Sequence, residues 1–385
     1  MFPYWRLSTY YFFYFGFVGA FSPYFTLYLQ SLDYSATDIA VLMSVMQVMR
    51  VLAPNLWSWL ADRTGLRVPI IRASAMLSLA GFCLFFLTTS FGGMLAAMVV
   101  MAFFWSAALP LVESLTFAHL GTLGHHYGRI RLWGSIGFIV AVVGLGHLLD
   151  FVAIEAVLVI IASILGGIIV CGLTLPEAAR RGGSRTTARL AETLRRPEVV
   201  ALLGACFFMS AAHGALYVFY SIHLAAHGYG KAVIGWMWAL GVIAEIAMFL
   251  VMPALAQRFG MGRILLATLA VAVLRFTVIG WGVESLVLLL FAQLLHGVTF
   301  GAYHAAAISL VNRWFPGRLQ SQGQALYGSL SFGAGGMLGG LISGVTWDTI
   351  GAAWTFTLGS LFALIGLIWW ALAWRASGAQ HEENT

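Results

Sequence analysis

Charge is what this chain has least of. Only 9% of its 385 residues are Asp, Glu, Lys or Arg, where a soluble domain carries roughly a quarter. Lysine is almost missing: of 20 basic residues, all but Lys231 are arginine. So few charges cannot cover a water-facing surface of this size. A soluble protein would be left with exposed apolar patches well beyond about a few hundred Å². A soluble enzyme is thereby excluded, and lipid remains as the solvent for most of the surface.

Cysteine is nearly as scarce. Cys83, Cys171 and Cys206 all lie inside apolar runs. They form no CxxC pair and no zinc spacing, so they read as small apolar fillers. No Walker sequence is present, which excludes an ATP-driven pump. No HExxH and no serine elbow appears, which removes the common hydrolases. The net charge of +6 does not indicate nucleic acid, because no stretch interleaves basic and aromatic residues in a polar context. Two glycine groups, Gly134-Gly137-Gly144 and Gly333-Gly335-Gly336-Gly339-Gly340, lie inside apolar runs. They suit close helix contact rather than a nucleotide cradle. No cofactor and no metal site is expected.

What is present in quantity is apolar residue: 61% of the chain, with a mean hydropathy of +0.91. A spanning helix needs about 20 mostly apolar residues. Twelve such runs occur, near 8–29, 37–60, 69–90, 93–118, 130–149, 153–174, 198–224, 231–256, 263–282, 285–311, 321–345 and 351–374. They are continuous, unlike the short alternating strands of a membrane barrel. The breaks carry turn or charge signals such as Asp62-Arg63-Thr64-Gly65, Gly228-Tyr229-Gly230 and Pro316-Gly317. The first run follows Met1-Phe2-Pro3-Tyr4-Trp5-Arg6 directly and has no small-residue cleavage site, so it reads as a retained span.

The arginines orient the spans. Even-numbered gaps and both termini hold Arg6, Arg63, Arg67, Arg72, Arg129, Arg131, Arg180, Arg181, Arg185, Arg189, Arg195, Arg196, Arg258, Arg263, Arg313, Arg318 and Arg375. Odd-numbered gaps hold Asp33, Asp38, Asp150, Glu155, Lys231, Glu284 and Asp348. The positive-inside rule makes the arginine-rich side cytoplasmic, with both termini there.

The chain also repeats itself. Shifted by 195 positions, Tyr24-Phe25-Thr26-Leu27-Tyr28-Leu29 falls on Phe219-Tyr220-Ser221-Ile222-His223-Leu224. Tyr34 falls on Tyr229, and Asp62-Arg63-Thr64-Gly65 on Gln257-Arg258-Phe259-Gly260. A constant register over two spans and two loops predicts two homologous halves of six spans, a known transporter plan. The expected division is 1–175, a basic cytoplasmic linker 176–197, 198–376 and a tail 377–385. The fold class expected is an all-α membrane protein of twelve helices in two pseudo-symmetric six-helix bundles.

With these features the sequence resembles the major facilitator superfamily over its whole length. The loop Trp57-Ser58-Trp59-Leu60-Ala61-Asp62-Arg63-Thr64-Gly65-Leu66-Arg67 is similar to the family's loop after span 2, with Ser58 where the family has Gly. Three segments resemble the 3-phenylpropionate permease branch, near the lactose permease group: Tyr127 to Ser135, Gly241 to Glu245, and His296 to His304. The resemblance implies a proton symporter working by alternating access in a bacterial inner membrane, as a monomer. The Gly-Pro pair of drug–proton antiporters is absent from Gly134 to Gly146, and no arginine lies mid-way along span 4.

Charges inside spans are the candidate site. Arginine or aspartate at a span centre costs roughly 2.5–3.5 kcal/mol on insertion scales, so such residues need partners or a wet cavity. Arg50 and Glu245 sit mid-span, 195 apart, and so occupy equivalent places in the two halves. Opposite charges there would pair or hold substrate between them. Arg275 lies within span 9, with Glu245 as a candidate partner. The lactose permease resemblance implies an acid on span 8, an arginine on span 9 and a histidine on span 10 in the coupling site. Glu245, Arg275 and His296 or His304 match that order, although the glutamate of that group's span 10 is missing here. Glu113 on span 4 is a further proton or substrate residue. Imidazole titrates near pH ~6.5, so His213, His296 and His304 are candidates too.

Proton coupling is therefore expected at Glu245, His304, His296 and Glu113. Substrate binding is expected at Arg50, Arg275, His213, Tyr14, Tyr24 and Tyr220, where mid-depth tyrosines suit an aromatic solute. Asp62, Arg63 and Arg131 are expected as gate charges. The best substrate reading is an aromatic carboxylate. A sugar or nucleoside symporter and an exporter of amphipathic compounds stay open, while no cluster of nucleophiles supports a membrane enzyme.

Overall fold

The computed structural model describes residues 2–121, 126–178 and 190–376. The expected linker arginines Arg180, Arg181, Arg185 and Arg189 and the tail 377–385 lie outside the described residues, as do the side chains of Arg318 and Arg375. The described chain is helical, and 12 of its helices are long and apolar enough to span a bilayer. They are α1 Tyr4–Ser31, α2 Ala36–Thr64, α3 Val68–Phe86, α4 Phe91–Leu120, α5 Tyr127–Leu149 and α6 Ala156–Thr174. The second six are α7 Pro197–Ala226, α8 Lys231–Phe259, α9 Met261–Trp281, α10 Leu286–Trp314, α11 Gln320–Ile350 and α12 Ala352–Trp374. The twelve expected runs correspond to these one for one.

The helix ends follow from local chemistry. Ser35 caps α2 by accepting from the Asp38 amide at 3.1 Å, and Ser90 caps α4 through the Gly93 amide at 3.3 Å. Such side chains satisfy amides that the first turn leaves without partners. Gly65 closes α2 in a left-handed conformation with φ 73°, which a glycine adopts without a Cβ penalty. The helix ends of α3 and α6 cap each other. Glu177 Oε2 accepts from the Arg67 and Val68 amides at 3.0 and 2.8 Å. Arg72 donates to the carbonyls of Gly172, Leu173 and Leu175 at 3.0, 2.9 and 3.1 Å. An anion thus meets a helix N-terminus and a cation meets a C-terminus.

The chain separates into two compact units, Met1–Gly183 with Gly228–Ala239, and Ser184–His227 with Leu240–Thr385. Helix α8 is therefore shared: its first turns belong to the first unit and the rest to the second. Within the first unit α1 packs chiefly on α5 and α6; within the second, α12 packs on α9 and α7. Small residues set the closest approaches. A Cβ at Gly19 of α1 would lie 2.6 Å from the Phe138 carbonyl of α5. A Cβ at Gly214 of α7 would run into the backbone of Gly339 and Gly340 on α11. Gly19 and Gly214 are 195 apart, so the repeat seen in sequence is also a repeat of packing. Gly137 and Gly339 lie against the carbonyls of Phe12 and Ala211, whereas a Cβ at Gly144 would meet nothing within 4 Å.

Four helices are interrupted. The α-helical ladder of α4 breaks at Ser106–Ala107 and that of α7 at His213. Helix α10 contains a π-helical stretch, Gly297–Ala302, and α11 another, Ser329–Gly335. Wide turns of this kind shift the register of the side chains beyond them and recur at functional sites.

Candidate functional site

In the second unit the mid-span charges gather around Arg275. Its side chain is 0% exposed. Nε donates to the Ala292 carbonyl at 2.9 Å, and Nη1 to Thr299 Oγ1 at 3.1 Å. Nη1 also lies 3.4 Å from His213 Nε2, and Nη2 3.4 Å from Gln293 Oε1. His213 Nδ1 is 2.8 Å from the Met209 carbonyl. A carbonyl only accepts, so Nδ1 carries the proton and Nε2 offers its lone pair to the guanidinium. His213 is thus a fixed neutral support for Arg275, placed where α7 breaks.

Glu245 bonds to His296, with Oε1 2.8 Å from Nε2. The approach depends on glycine. A Cβ at Gly297 would lie 2.5 Å from the Ala244 carbonyl, and one at Gly301 would lie 3.4 Å from Glu245 Cα. Both glycines fall in the π-helical stretch, so α10 lies against α8 at the acidic residue. The glutamate side chain keeps 16% exposure and the histidine 8%. His296 Nδ1 is buried without a hydrogen bond. The His296 ring therefore has room for one more proton, on Nδ1, without breaking another bond.

Below His296 the rings of Phe300 and His304 stack in sequence. Centroids are 5.4 and 6.2 Å apart, with interplanar angles of 15° and 10°. An undistorted α-helix would turn residues eight apart away from a common line. The π-helical stretch between them alters that drift. His304 Nδ1 meets Tyr327 Oη at 3.1 Å. Nearby, Ser331 Oγ lies 2.7 Å from Ser210 Oγ and 3.0 Å from both Tyr303 Oη and the Cys206 carbonyl. This buried polar seam joins α7, α10 and α11. Tyr220 is also buried, at 1% exposure.

The first unit is arranged differently. Glu113 of α4 accepts from Tyr127 Oη at 3.1 Å. Arg131 lies over the Phe15 ring, 3.8 Å from its centroid, a cation–π contact. Tyr14 stacks on Trp105 at 4.8 Å and 9°, beside the break in α4. The charges of Arg50, Glu113 and Arg131 all act on Tyr14. Arg50 is exposed and, among the described residues, makes no hydrogen bond or ion pair. Tyr24 is 0% exposed and gives its hydroxyl to the Val142 and Lys231 carbonyls at 2.7 and 3.2 Å. Asp62 and Arg63 are exposed, with Arg63 5.5 Å over Trp59.

Thr299, Tyr303, Tyr327, Ser331, Trp105 and Tyr127 were given no site role in the sequence, and Gln293 stood there only as one of the few mid-span amides. A single neutral polar residue in an apolar helix says little alone; Gln293 and Thr299 are marked by their bonds to Arg275, Tyr327 by its bond to His304, and Tyr127 by its bond to Glu113. Among the described residues no group of three or more His, Cys, Asp or Glu could hold a metal.

The MFS_1 like family matches residues 4–358. The chain belongs to this family of transporters. It is 27% identical over 372 residues to a protein of Escherichia coli K12 named as a probable 3-phenylpropionic acid transporter, covering 93% of this chain and 95% of that protein. It is likewise 27% identical over 364 residues to the maltose permease of Geobacillus stearothermophilus, covering 93% and 91%. The nucleoside transporter NupG superposes with a TM-score of 0.83 at 17% identity, covering 97% of this chain and 99% of that one. The POT family transporter PepTSo gives 0.76 at 12% identity, covering 98% of both. These structures share the fold. The family member is a multi-pass secondary transporter of the major facilitator type and not an enzyme.

Proposed function

We propose that this transporter is a proton symporter for a small organic anion, with an aromatic carboxylate as its substrate class. It would work by alternating access in a bacterial inner membrane, with both termini cytoplasmic. The observation that carries the reading is the contrast between the two mid-span arginines. Arg275 is buried and makes four hydrogen bonds within the protein. Arg50 is exposed and has no hydrogen bond or ion pair among the described residues. A guanidinium at span depth without an internal partner needs an anion from outside the fold. Tyr14, on which the Arg50 charge acts, stacks on Trp105, and that pair suits an aromatic body.

The proton is assigned to the Glu245–His296 pair. A desolvated carboxylate is unfavourable, so an unprotonated carrier resists closure and a protonated one permits it. Arg275 keeps the pair's surroundings rigid and positive. Glu113 is a secondary proton or substrate residue in the first unit.

Proton uptake into proteoliposomes, followed by a pH-sensitive dye, tests the proposal with a panel of aromatic carboxylates. Uptake with one carboxylate, lost in Glu245→Gln and strongly weakened in Arg50→Ala, supports it. Uptake driven only by a sugar or nucleoside sinks the anion assignment. That second reading is favoured by the names of the maltose and nucleoside permeases among the similar proteins.

A further inference from the structure

The π-helical stretch of α10 reads Gly297-Val298-Thr299-Phe300-Gly301-Ala302. Its amides leave the α-helical ladder. Val298 and Thr299 share the Leu295 carbonyl, both at 3.0 Å, and the Tyr303 amide reaches back five residues to Val298. Such a stretch is less favourable than plain α-helix, and two glycines weaken it further. It therefore needs support from outside the helix. Thr299 is its one polar side chain, and that side chain is 0% exposed.

A threonine within a helix ordinarily gives its hydroxyl to its own backbone one turn back. Thr277 and Thr357 do so, to the Val273 and Ala353 carbonyls, both at 2.9 Å. Thr299 Oγ1 turns to another helix: it accepts from Arg275 Nη1 of α9 at 3.1 Å. The same guanidinium donates to the Ala292 carbonyl at 2.9 Å and lies 3.4 Å from Gln293 Oε1. Arg275 thus ties the regular part of α10, which runs to Leu294, to a residue inside the stretch. Its planar fork fixes the spacing between the groups it binds. What rests on the stretch is the Glu245 segment of α8. A Cβ at Gly297 would lie 2.5 Å from the Ala244 carbonyl, and one at Gly301 3.4 Å from both Glu245 Cα and Met248 Cβ. All of these residues belong to the second unit. Moving the stretch on by one residue would turn it by about 100° and shift it by about 1.5 Å, which takes both glycines away from α8.

We propose that Thr299 is a positioning residue for proton coupling: its bond to Arg275 fixes the register of the π-helical stretch, and that register seats Glu245 against His296. The proposal rests on assigning the proton to that pair. Thr299 touches neither the proton nor the substrate. It acts because a carboxylate in an apolar span stays ionised only with partners, and His296 is a partner only while α10 keeps this register. Without the bond α10 relaxes towards a regular α-helix. Glu245 then loses His296 and takes up a proton whether or not substrate is present.

The test needs no substrate. Dicyclohexylcarbodiimide, an apolar reagent, modifies protonated carboxyl groups inside membranes, and mass spectrometry of the digested protein reads each site. At one fixed neutral pH, Thr299→Val keeps the shape and drops the hydroxyl. It is expected to speed modification of Glu245 about tenfold, the factor for one hydrogen bond to a charged group. Thr299→Ser returns the hydroxyl and should return the slow rate. Glu113 in the first unit should react as before in every variant. Equal acceleration at Glu113 would mean a general loosening and overturns the proposal, as does an unchanged rate at Glu245. His296→Ala breaks the pair directly and separates two failures. If it speeds modification and Thr299→Val does not, the role of Thr299 alone falls. If it does not, the pair does not govern the proton, and the proton assignment falls together with the proposal. Should Thr299→Val fail to fold, Thr299→Ala, which fits wherever threonine does, is read in the same way.

Discussion

Glu245 and His296 meet at 2.8 Å across α8 and α10, with the imidazole's other nitrogen buried and unbonded. An acid and a base in this relation hold one exchangeable proton between them. Replacing Glu245 by glutamine keeps the shape and removes the titrating group. Glu245→Gln should abolish uphill accumulation while leaving substrate exchange across the membrane. Counterflow in proteoliposomes with no pH gradient measures this. Loss of exchange as well would show that the pair serves binding or folding rather than coupling.

Arg50 and Arg275 should fail in different ways. A charge-assisted hydrogen bond to a substrate contributes about 1.5–3 kcal/mol, so Arg50→Ala should raise KM for the anion by roughly 10- to 100-fold. The protein should stay as stable as before, since Arg50 bonds nothing in the described chain. KM and the thermal unfolding midpoint, taken on the same preparation, check both halves.

Arg275→Ala removes the donor from Ala292, His213, Thr299 and Gln293 together. Each buried acceptor left unpaired costs about 1–3 kcal/mol. A fall in the unfolding midpoint, with loss of folded yield, is expected. A stable variant with only a raised KM would return Arg275 to the substrate.

The glycine contacts predict a graded series. Gly214→Val forces a side chain into the Gly339–Gly340 backbone of α11 and should prevent accumulation of folded protein. Gly19→Val should do the same at Phe138. Gly144→Val meets open space and should express as the unaltered chain does. Detergent-solubilised yield by size exclusion gives the ranking.

Glu177→Ala leaves the Arg67 and Val68 amides without their acceptor. The loss of a cap costs about 1 kcal/mol. A lower unfolding midpoint with unchanged KM is expected, because α3 and α6 carry none of the candidate site. A changed KM would mean that these helix ends communicate with it.

The sequence by itself determined the twelve spans and the repeat, with ends that shift by several residues in the structure: the runs 69–90 and 321–345 become Val68–Phe86 and Gln320–Ile350. Run length and turn residues act locally, so the twelve runs and the break at Asp62-Arg63-Thr64-Gly65 could be read without knowing the fold. Mid-span Arg50, Glu245 and Arg275 stood out because hydrocarbon makes each of them unfavourable alone. Their partners were another matter. In helices apolar on every side, periodicity does not say which face meets which neighbour, because lipid and packed helix favour the same residues. Only tertiary structure gave Glu245 to His296, surrounded Arg275 with His213, Thr299 and Gln293, and left Arg50 without a hydrogen bond or ion pair among the described residues. It alone showed α8 divided between two units, because Gly146 of α5 and Gly235 of α8 are unremarkable until the two helices meet at them.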